Sequence, residues 1–365
     1  MSARRGRQQI FVQCVPGLER LLESELAVLG LRTGRRVRGG VEGEASTRQL
    51  YLANHASRLA TRVLVRVAHF TAESFGALER GVERVAWDRY IDRQRVVVRA
   101  ASTASALFHT DAIAERVQRA VTAGSDRHLD PQRVHVRLRQ DRVTISVDSS
   151  GEALHHRGWR DGKAKAPLRS TIAAAMLAAV GFDGGGPVID PFCGSGTIAI
   201  EAARVAAGLG PRVDRAYAFQ QWPCFEPGTW ASVDAAAVAR AAPSVTATDR
   251  DAGAVATTVA NAARAGVTLR TACRSLSDLE PPGEGPGWLV TNAPYGKRVR
   301  ADDLRNLYAR LGDVARDRLP GWQVAILTND MVAAGHAGLG LESVLATSNG
   351  GIAVDLLAGT VPAAE

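Results

Sequence analysis

The sequence predicts an α/β chain: a doubly wound, mostly parallel sheet over its second half, preceded by a smaller α+β region. Three observations carry that expectation. From Val188 onward, short apolar strands alternate with helix-length periodic segments, the order that lays crossover helices on both faces of a parallel sheet. The first of those strands runs through Asp190-Pro191-Phe192-Cys193-Gly194-Ser195-Gly196-Thr197 into an alanine-rich helix, a strand, a glycine turn and a helix start in unbroken succession. Ahead of it, valine-alternating strands interleave with amphipathic helices, as suits an α+β unit.

Taken in order, residues 10–12 form a short apolar strand. Pro16-Gly17 then opens a helix whose Leu18, Leu21, Leu22, Leu26 and Leu29 share one face, and Gly30 stops it. A glycine-rich hairpin at 39–43 precedes a second helix at 46–60. Val63, Val65 and Val67 alternate as a strand, followed by a helix at 77–85, a strand at 96–98 and a helix at 111–123. Strands at 134–138 and 143–147 meet at Gln140-Asp141 as a hairpin. Residues 149–166 are polar, glycine-punctuated and mostly basic, the character of a linker. Ala166-Pro167-Leu168-Arg169-Ser170-Thr171 leads a helix at 172–180. Strands at 188–189, 245–248, 288–290 and 324–328 then alternate with helices at 198–207, 252–265 and 304–319, and a strand at 352–358 closes the sheet. In the helix at 304–319, Leu304, Leu307, Tyr308, Leu311 and Val314 recur at helical spacing and read as core. The expected division is 1–62 and 63–150 as two α+β parts, 151–166 as linker and 167–365 as the doubly wound domain.

The 365 residues exceed one hydrophobic core. The net charge of +8 is unevenly spread: residues 1–165 hold 29 Lys and Arg against 18 Asp and Glu, leaving 16 against 19 of the totals of 45 and 37 for the remainder. A basic part joined to a slightly acidic one suits a polyanion held by the first and modified by the second. Lys163, Lys165 and Lys297 are the only lysines; arginine gives bidentate phosphate contact, and a genome preferring arginine codons is the bland alternative. No run of about 18 apolar residues suggests a membrane span. The basic start, Met1 to Arg7, leads into Gln8-Gln9 instead of an apolar core, so a cytoplasmic protein is expected. Cys14, Cys193, Cys224 and Cys273 are far apart, and the eight histidines show no ligand spacing, so no metal is expected.

The Asp190 to Thr197 segment, with Thr291-Asn292-Ala293-Pro294-Tyr295 about a hundred residues on, resembles class I S-adenosylmethionine-dependent methyltransferases that modify exocyclic amines. Their signatures read D-P-F-C-G-S-G-T and N-P-P-Y. The first match is complete over eight residues; the second departs at Ala293. Gly17-Leu18-Glu19, the N-terminal strand pairs and His155-His156-Arg157-Gly158-Trp159-Arg160 are similar to the ferredoxin-like plus THUMP region of THUMP-containing RNA methyltransferases, modules that bind RNA. The fold so implied is a Rossmann-like class I methyltransferase domain preceded by an α+β ferredoxin-like and THUMP-like region.

That resemblance sets the cofactor against Asp190, Phe192, Gly194, Gly196 and Thr197, with Asp190 near its amino group. Asp249, at the next strand end, accepts from ribose hydroxyls, with Asp251 as competitor; it lies 59 positions after Asp190, beyond the ~20 of a simple βαβ unit. The excess is an insertion at 208–243 holding Gln220, Gln221, Trp222, Pro223, Phe225 and Trp230, either a packed lid or a substrate-contacting loop. Asp278 is the only candidate for adenine N6. Arg169 meets the cofactor carboxylate or the RNA backbone, or simply starts its helix. No Lys follows the glycines as a P-loop requires. Asn292 Oδ1 and the carbonyl of Ala293 offer two acceptors to an exocyclic amine; Pro294 and Tyr295 complete the loop, the ring stacking on the base. One of Lys297 and Arg298 contacts phosphate. Cysteine-dependent carbon methylation is disfavoured, because no Cys stands in the acceptor loop. The expected activity is guanine-N2 methylation of 23S rRNA. The alternatives are the tRNA branch of the same family, N6-adenine DNA or protein-glutamine methylation, and a non-catalytic RNA-binding or assembly factor, the last motivated by Ala293.

Overall fold

The computed structural model describes residues 6–121, 128–160, 168–235, 243–283, 285–294 and 301–363. Two compact units divide the chain: Met1–Cys14, Leu22–Leu154 and Arg215–Ala235 form the first; Val15–Leu21, His155–Asp214 and Ala236–Glu365 form the second.

The first unit is built on β1 (Gln8–Gln13), most of α1 (Glu19–Val28), β2 (Arg32–Val37), β3 (Gly40–Ala45), α2 (Thr47–Ala56), β4 (Arg62–Thr71), α3 (Phe75–Glu83), β5 (Val96–Thr103), α4 (Thr110–Ala120), β6 (Gln132–Arg139) and β7 (Arg142–Asp148). All seven strands join one sheet in the order β2-β3-β1-β4-β7-β6-β5, so β1 pairs with β4 and the sheet runs unbroken past residue 62. Valine, leucine and isoleucine alternate inward along β6 and β7, while α3 packs on β4 and α4 on β5, burying Leu78 and Val82 of α3 and Ile113 and Val117 of α4, each pair one helical turn apart. Helix α2 starts where Ser46 and Gln49 cap each other reciprocally. It ends at Ala56, short of the expected residue 60. The amides of Arg58 and Leu59 instead donate to the buried Glu25 carboxylate, at 2.7 and 3.3 Å, which takes them out of helical register. Strand β4 runs beyond the expected Val67, because a bulge between Arg66 and Ala68 returns Phe70 to the apolar side.

After β7 the segment read as a polar linker is anchored. Arg157 and Trp159 are both buried, and Arg157 Nε donates to Glu201 Oε1 at 2.8 Å with neither side chain exposed. In the second unit α5 (Ser170–Ala179), β8 (Val188–Asp190) and α6 (Thr197–Ala206) follow. The chain then returns to the first unit for Arg215–Ala235, which carries α7 (Pro227–Asp234). Here the aromatic insertion packs: Phe219 stacks on Tyr51 with ring centroids 4.2 Å apart, Trp230 edges His55, Trp222 edges Tyr90, and Trp222 Nε1 donates to Gln132 Oε1 at 2.7 Å. Of the two readings, the described part of the insertion takes the packed one, as part of the N-terminal core.

The second unit resumes with β9 (Val245–Asp249), α8 (Ala252–Arg264), β10 (Arg270–Cys273), β11 (Trp288–Asn292), α9 (Ala301–Arg318), β12 (Gln323–Thr328), α10 (Met331–Gly335), β13 (Glu342–Asn349) and β14 (Ile352–Thr360). Its sheet order is β10-β9-β8-β11-β12-β14-β13; the first five strands of that order are parallel, and β14 is antiparallel to both its neighbours. This is the Rossmann-like methyltransferase fold expected. Leu289, Val324 and Ile326 meet Leu304, Tyr308, Leu311 and Val314 of α9 in one apolar cluster. Strand order reverses between β8 and β11, which opens a crevice outside their carboxyl ends.

Candidate active site

Asp190 ends β8 and Asn292 ends β11, so the reversal point puts these two polar residues on neighbouring strand tips. Thr291 ties the tips together: its hydroxyl donates to Asp190 Oδ1 at 2.7 Å, and the amide of Phe192 donates to the same oxygen at 3.2 Å. Asp190 is only 1% exposed, and burial, opposed by these two bonds and reinforced by nearby Asp249, pushes its carboxyl up to about 7. A cation placed beside it would restore its charge.

The glycine turn follows. Gly194 and Gly196 both take positive φ, +53 and +81. A Cβ on Gly196 would lie 2.7 Å from Thr258 Cγ2, so glycine is needed there for packing as well as for conformation. At Gly194 a Cβ would meet nothing within 4 Å, which leaves open space on that side of the turn. The amide of Gly194 donates to Asp249 Oδ2 and that of Gly196 to the Cys193 carbonyl, each within the turn's own framework. Asp249 Oδ1 takes the amide of Asp251, and each Asp249 oxygen keeps further lone-pair capacity. Asp251 is occupied otherwise, capping α8 through the amide of Gly253 at 2.8 Å.

Three side chains that local motifs do not reveal hold this turn. Thr258 donates to the Gly194 carbonyl at 2.9 Å, and Asn261 Nδ2 to the Ser195 carbonyl at 2.8 Å. Arg264 bridges Asn261 Oδ1 to the carbonyl of Trp159. Arg160 likewise donates to Thr197 Oγ1 and to the Leu168 carbonyl, joining the starts of α5 and α6; its guanidinium is largely buried, which lowers its pKa.

Cys193 is buried beside Asp190, and its thiol is pushed up to about 12, first by burial and then by that carboxyl. It stays a protonated thiol. Phe192 packs on the apolar cluster beneath the sheet. Asn292 Oδ1 is buried and accepts no hydrogen bond among the described residues, an acceptor that wants a donor. Ala293 is 1% exposed, its methyl in the apolar cluster, and Pro294 is exposed. The expectations for Tyr295, Lys297 and Arg298 lie outside the described residues. Arg169 is an exposed residue at the start of α5. Asp278 is exposed, its Oδ2 accepting from Ser275 Oγ at 2.7 Å. Among the described residues no helix is long and apolar enough to cross a membrane, and no group of three or more His, Cys, Asp or Glu could hold a metal ion.

A buried acid, a second acid at the next strand end, open space beside Gly194 and an Asn292 oxygen that accepts no hydrogen bond among the described residues lie at neighbouring strand tips. Comparison with known proteins identifies methyltransferases. The family described as "RMKL-like, methyltransferase domain" matches residues 157–341, and an RlmL ferredoxin-like domain matches residues 9–64. The ribosomal RNA large subunit methyltransferase K/L of Syntrophotalea carbinolica is 34% identical over 96% of the chain and 53% of its own length. That of Marinobacter nauticus is 33% identical over 88% and 48%. The chain thus spans about half the length of these curated relatives. Among solved structures, a possible methylase from Clostridium difficile superposes with a TM-score of 0.85 at 25% identity, covering 98% of this chain and 99% of that one.

Proposed function

The chain belongs to the RMKL-like methyltransferase domain family, and from that premise we propose that it methylates the exocyclic N2 amine of a guanine in 23S rRNA, using S-adenosylmethionine. One observation carries this reading: an amide oxygen of Asn292, buried and without a hydrogen-bond partner among the described residues, stands at the reversal point of the sheet, tied through its neighbour Thr291 to the buried acid Asp190.

Asp190 takes the cofactor's ammonium, Asp249 its ribose hydroxyls and Asp278 its adenine amine; Phe192, Thr197 and the turn at Gly194 and Gly196 line its body, and Arg169 its carboxylate. When bound, the cofactor supplies a methyl carbon activated by a sulfonium. A guanine N2 amine is a poor nucleophile, because its lone pair is delocalised into the ring. Asn292 Oδ1 and the Ala293 carbonyl accept its two N–H bonds, which favours the pyramidal form and aims the lone pair at the methyl. With the methyl supplied by the bound cofactor, the proton that the amine gives up would pass to water, so no strong base is required of the protein. Pro294 completes the acceptor loop, and stacking on the base is the role proposed for Tyr295. The protonated state of Cys193 argues against a thiolate-dependent carbon methylation. RNA is held by the basic N-terminal region, ferredoxin-like over 1–62 and THUMP-like over 63–150, joined through 151–166 to the catalytic part at 167–365. The 34% identity to a large-subunit rRNA methyltransferase favours rRNA over tRNA as substrate.

Transfer of tritium from labelled cofactor into total rRNA and total tRNA, followed by nucleoside analysis, tests the proposal. N2-methylguanosine in large-subunit RNA is expected. Label in tRNA alone would move the protein to the tRNA branch, and label in neither, with cofactor still bound, would make it an RNA-binding assembly factor.

A further inference from the structure

The sheet of the first unit has two unlike faces. Along β5, β6 and β7 the residues on the side of α3 and α4 are mostly apolar, whereas the alternate set includes Arg99 on β5, His135, Arg137 and Arg139 on β6, and Arg142 and Thr144 on β7; at its far end Asp148 is buried and paired with Arg62. Register places them side by side: Arg99 opposite His135, Arg137 opposite Thr144, and Arg139 directly opposite Arg142. Arg99, Arg137, Arg139 and Arg142 are exposed, and none makes a side-chain ion pair or hydrogen bond among the described residues. Like charges directly across a strand pair destabilise a sheet. This face therefore stores repulsion that a polyanion would relieve. Burial keeps His69 and His135, which share the face, below the usual histidine range, so arginine supplies its charge.

The chemistry of the face also selects the kind of polyanion. Readers of single-stranded RNA stack unpaired bases on aromatic side chains. The alternate set on β5, β6 and β7 holds no aromatic ring other than His135, and the exposed Phe108 lies on the loop after β5, beyond the strand. Arginines two residues apart on one strand, and opposite one another across strands, offer a flat lattice of phosphate contacts without a stacking platform.

Resting on the reading that the substrate is RNA, we propose that the open face of β5, β6 and β7 binds the sugar-phosphate backbone of duplex RNA through Arg99, Arg137, Arg139 and Arg142, by shape and charge without base readout. The test compares two triple variants of the full chain with equal loss of charge: Arg137→Gln/Arg139→Gln/Arg142→Gln on the open face, and Arg80→Gln/Arg84→Gln/Arg119→Gln on the helical side. Binding to an RNA duplex of about 16 base pairs, the span of a duplex-shape reader, and to single-stranded polyuridine of equal length is followed against salt. The open-face variant should lower the log–log salt slope for duplex by about three, near one for each phosphate that no longer meets an arginine, while the helical-side variant leaves it within about one. Thermal melting and calorimetric binding of S-adenosylhomocysteine confirm that both variants are folded. Equal loss of slope in both variants, an unchanged slope in the open-face variant, or tighter wild-type binding to polyuridine than to duplex would each overturn the assignment. Because the experiment reads no methyl transfer, a protein that binds duplex in this way and transfers nothing would sink the proposed activity and leave this face standing.

Discussion

Both units are built on a seven-stranded sheet, yet the two sheets handle polar residues in opposite ways. In the first, β6 and β7 alternate valine or isoleucine with arginine, threonine or serine, so one face is core and the other meets water. In the second, β8 and β12 are buried along nearly their whole length, and the acids and the amide of the candidate site stand where strands end: Asp190, Asp249, Asn292. A mostly antiparallel, one-sided sheet can offer a broad surface to a large partner. A parallel sheet covered on both sides can offer only its tips, which suits a small ligand and one reacting atom.

The contrast is broken most severely by exchanging what each sheet tolerates. Arg157 is buried against Glu201 in the second unit, so Arg157→Ala should destabilise that unit by ~3–5 kcal/mol, the cost of an uncompensated buried charge, seen in chemical denaturation. An unchanged midpoint would mean that the pair contributes nothing. At the strand tip, Asn292→Ala should lower the rate of methyl transfer by ~10², as loss of one group aimed at the transition state does, with S-adenosylhomocysteine affinity retained. A rate within about threefold of wild type would remove Asn292 from the chemistry.

The pH response separates the sheets further. Because burial raises the folded pKa of Asp190 to about 7 from an ordinary value of 3.8, its contribution to stability is full below the ordinary value and is lost as pH rises through about 7. Asp190→Asn should therefore gain thermal stability relative to wild type between pH 5 and pH 8 while losing cofactor affinity, and a pH-independent difference in melting temperature would contradict the burial argument. Smaller still, Trp222→Phe removes the indole donor to Gln132 and should cost about 1 kcal/mol of first-unit stability, with transfer unaffected. Smallest of all, Arg139→Gln on the open face should change stability by less than about 0.5 kcal/mol. The same residue type would then be indispensable where it is buried in one unit and neutral for stability on the open sheet face of the other.

What the sequence discloses follows the same division. The helices at 198–207 and 304–319 and the strand at 324–328 lie within a few residues of α6, α9 and β12, because their apolar periodicity reports their burial directly. Strands β2 and β13 leave no such trace. Both are sheet edges, where exposed, mostly polar residues replace the alternating pattern and discourage pairing with other chains. The turn and strand ends are legible as a candidate site because the motif runs through consecutive positions: Asp190 to Thr197, and Asn292 at the end of its strand. Thr258, Asn261, Arg264 and Arg160 are not, since each reaches the turn from a segment distant in sequence and only folding brings them together. The aromatic insertion reads as rich in rings, but whether those rings face substrate or core depends on Tyr51 and Tyr90, more than a hundred residues away.

A structure of the protein with S-adenosylhomocysteine and guanosine monophosphate bound would test the central claim most directly. Asn292 Oδ1 should lie within hydrogen-bonding reach of the purine N2, ~2.6–3.2 Å away, with the cofactor's sulfur on the opposite side of that nitrogen and its amino group against Asp190. A gap between β8 and β11 filled by side chains, or an Asn292 amide rotated out of it, would contradict the account.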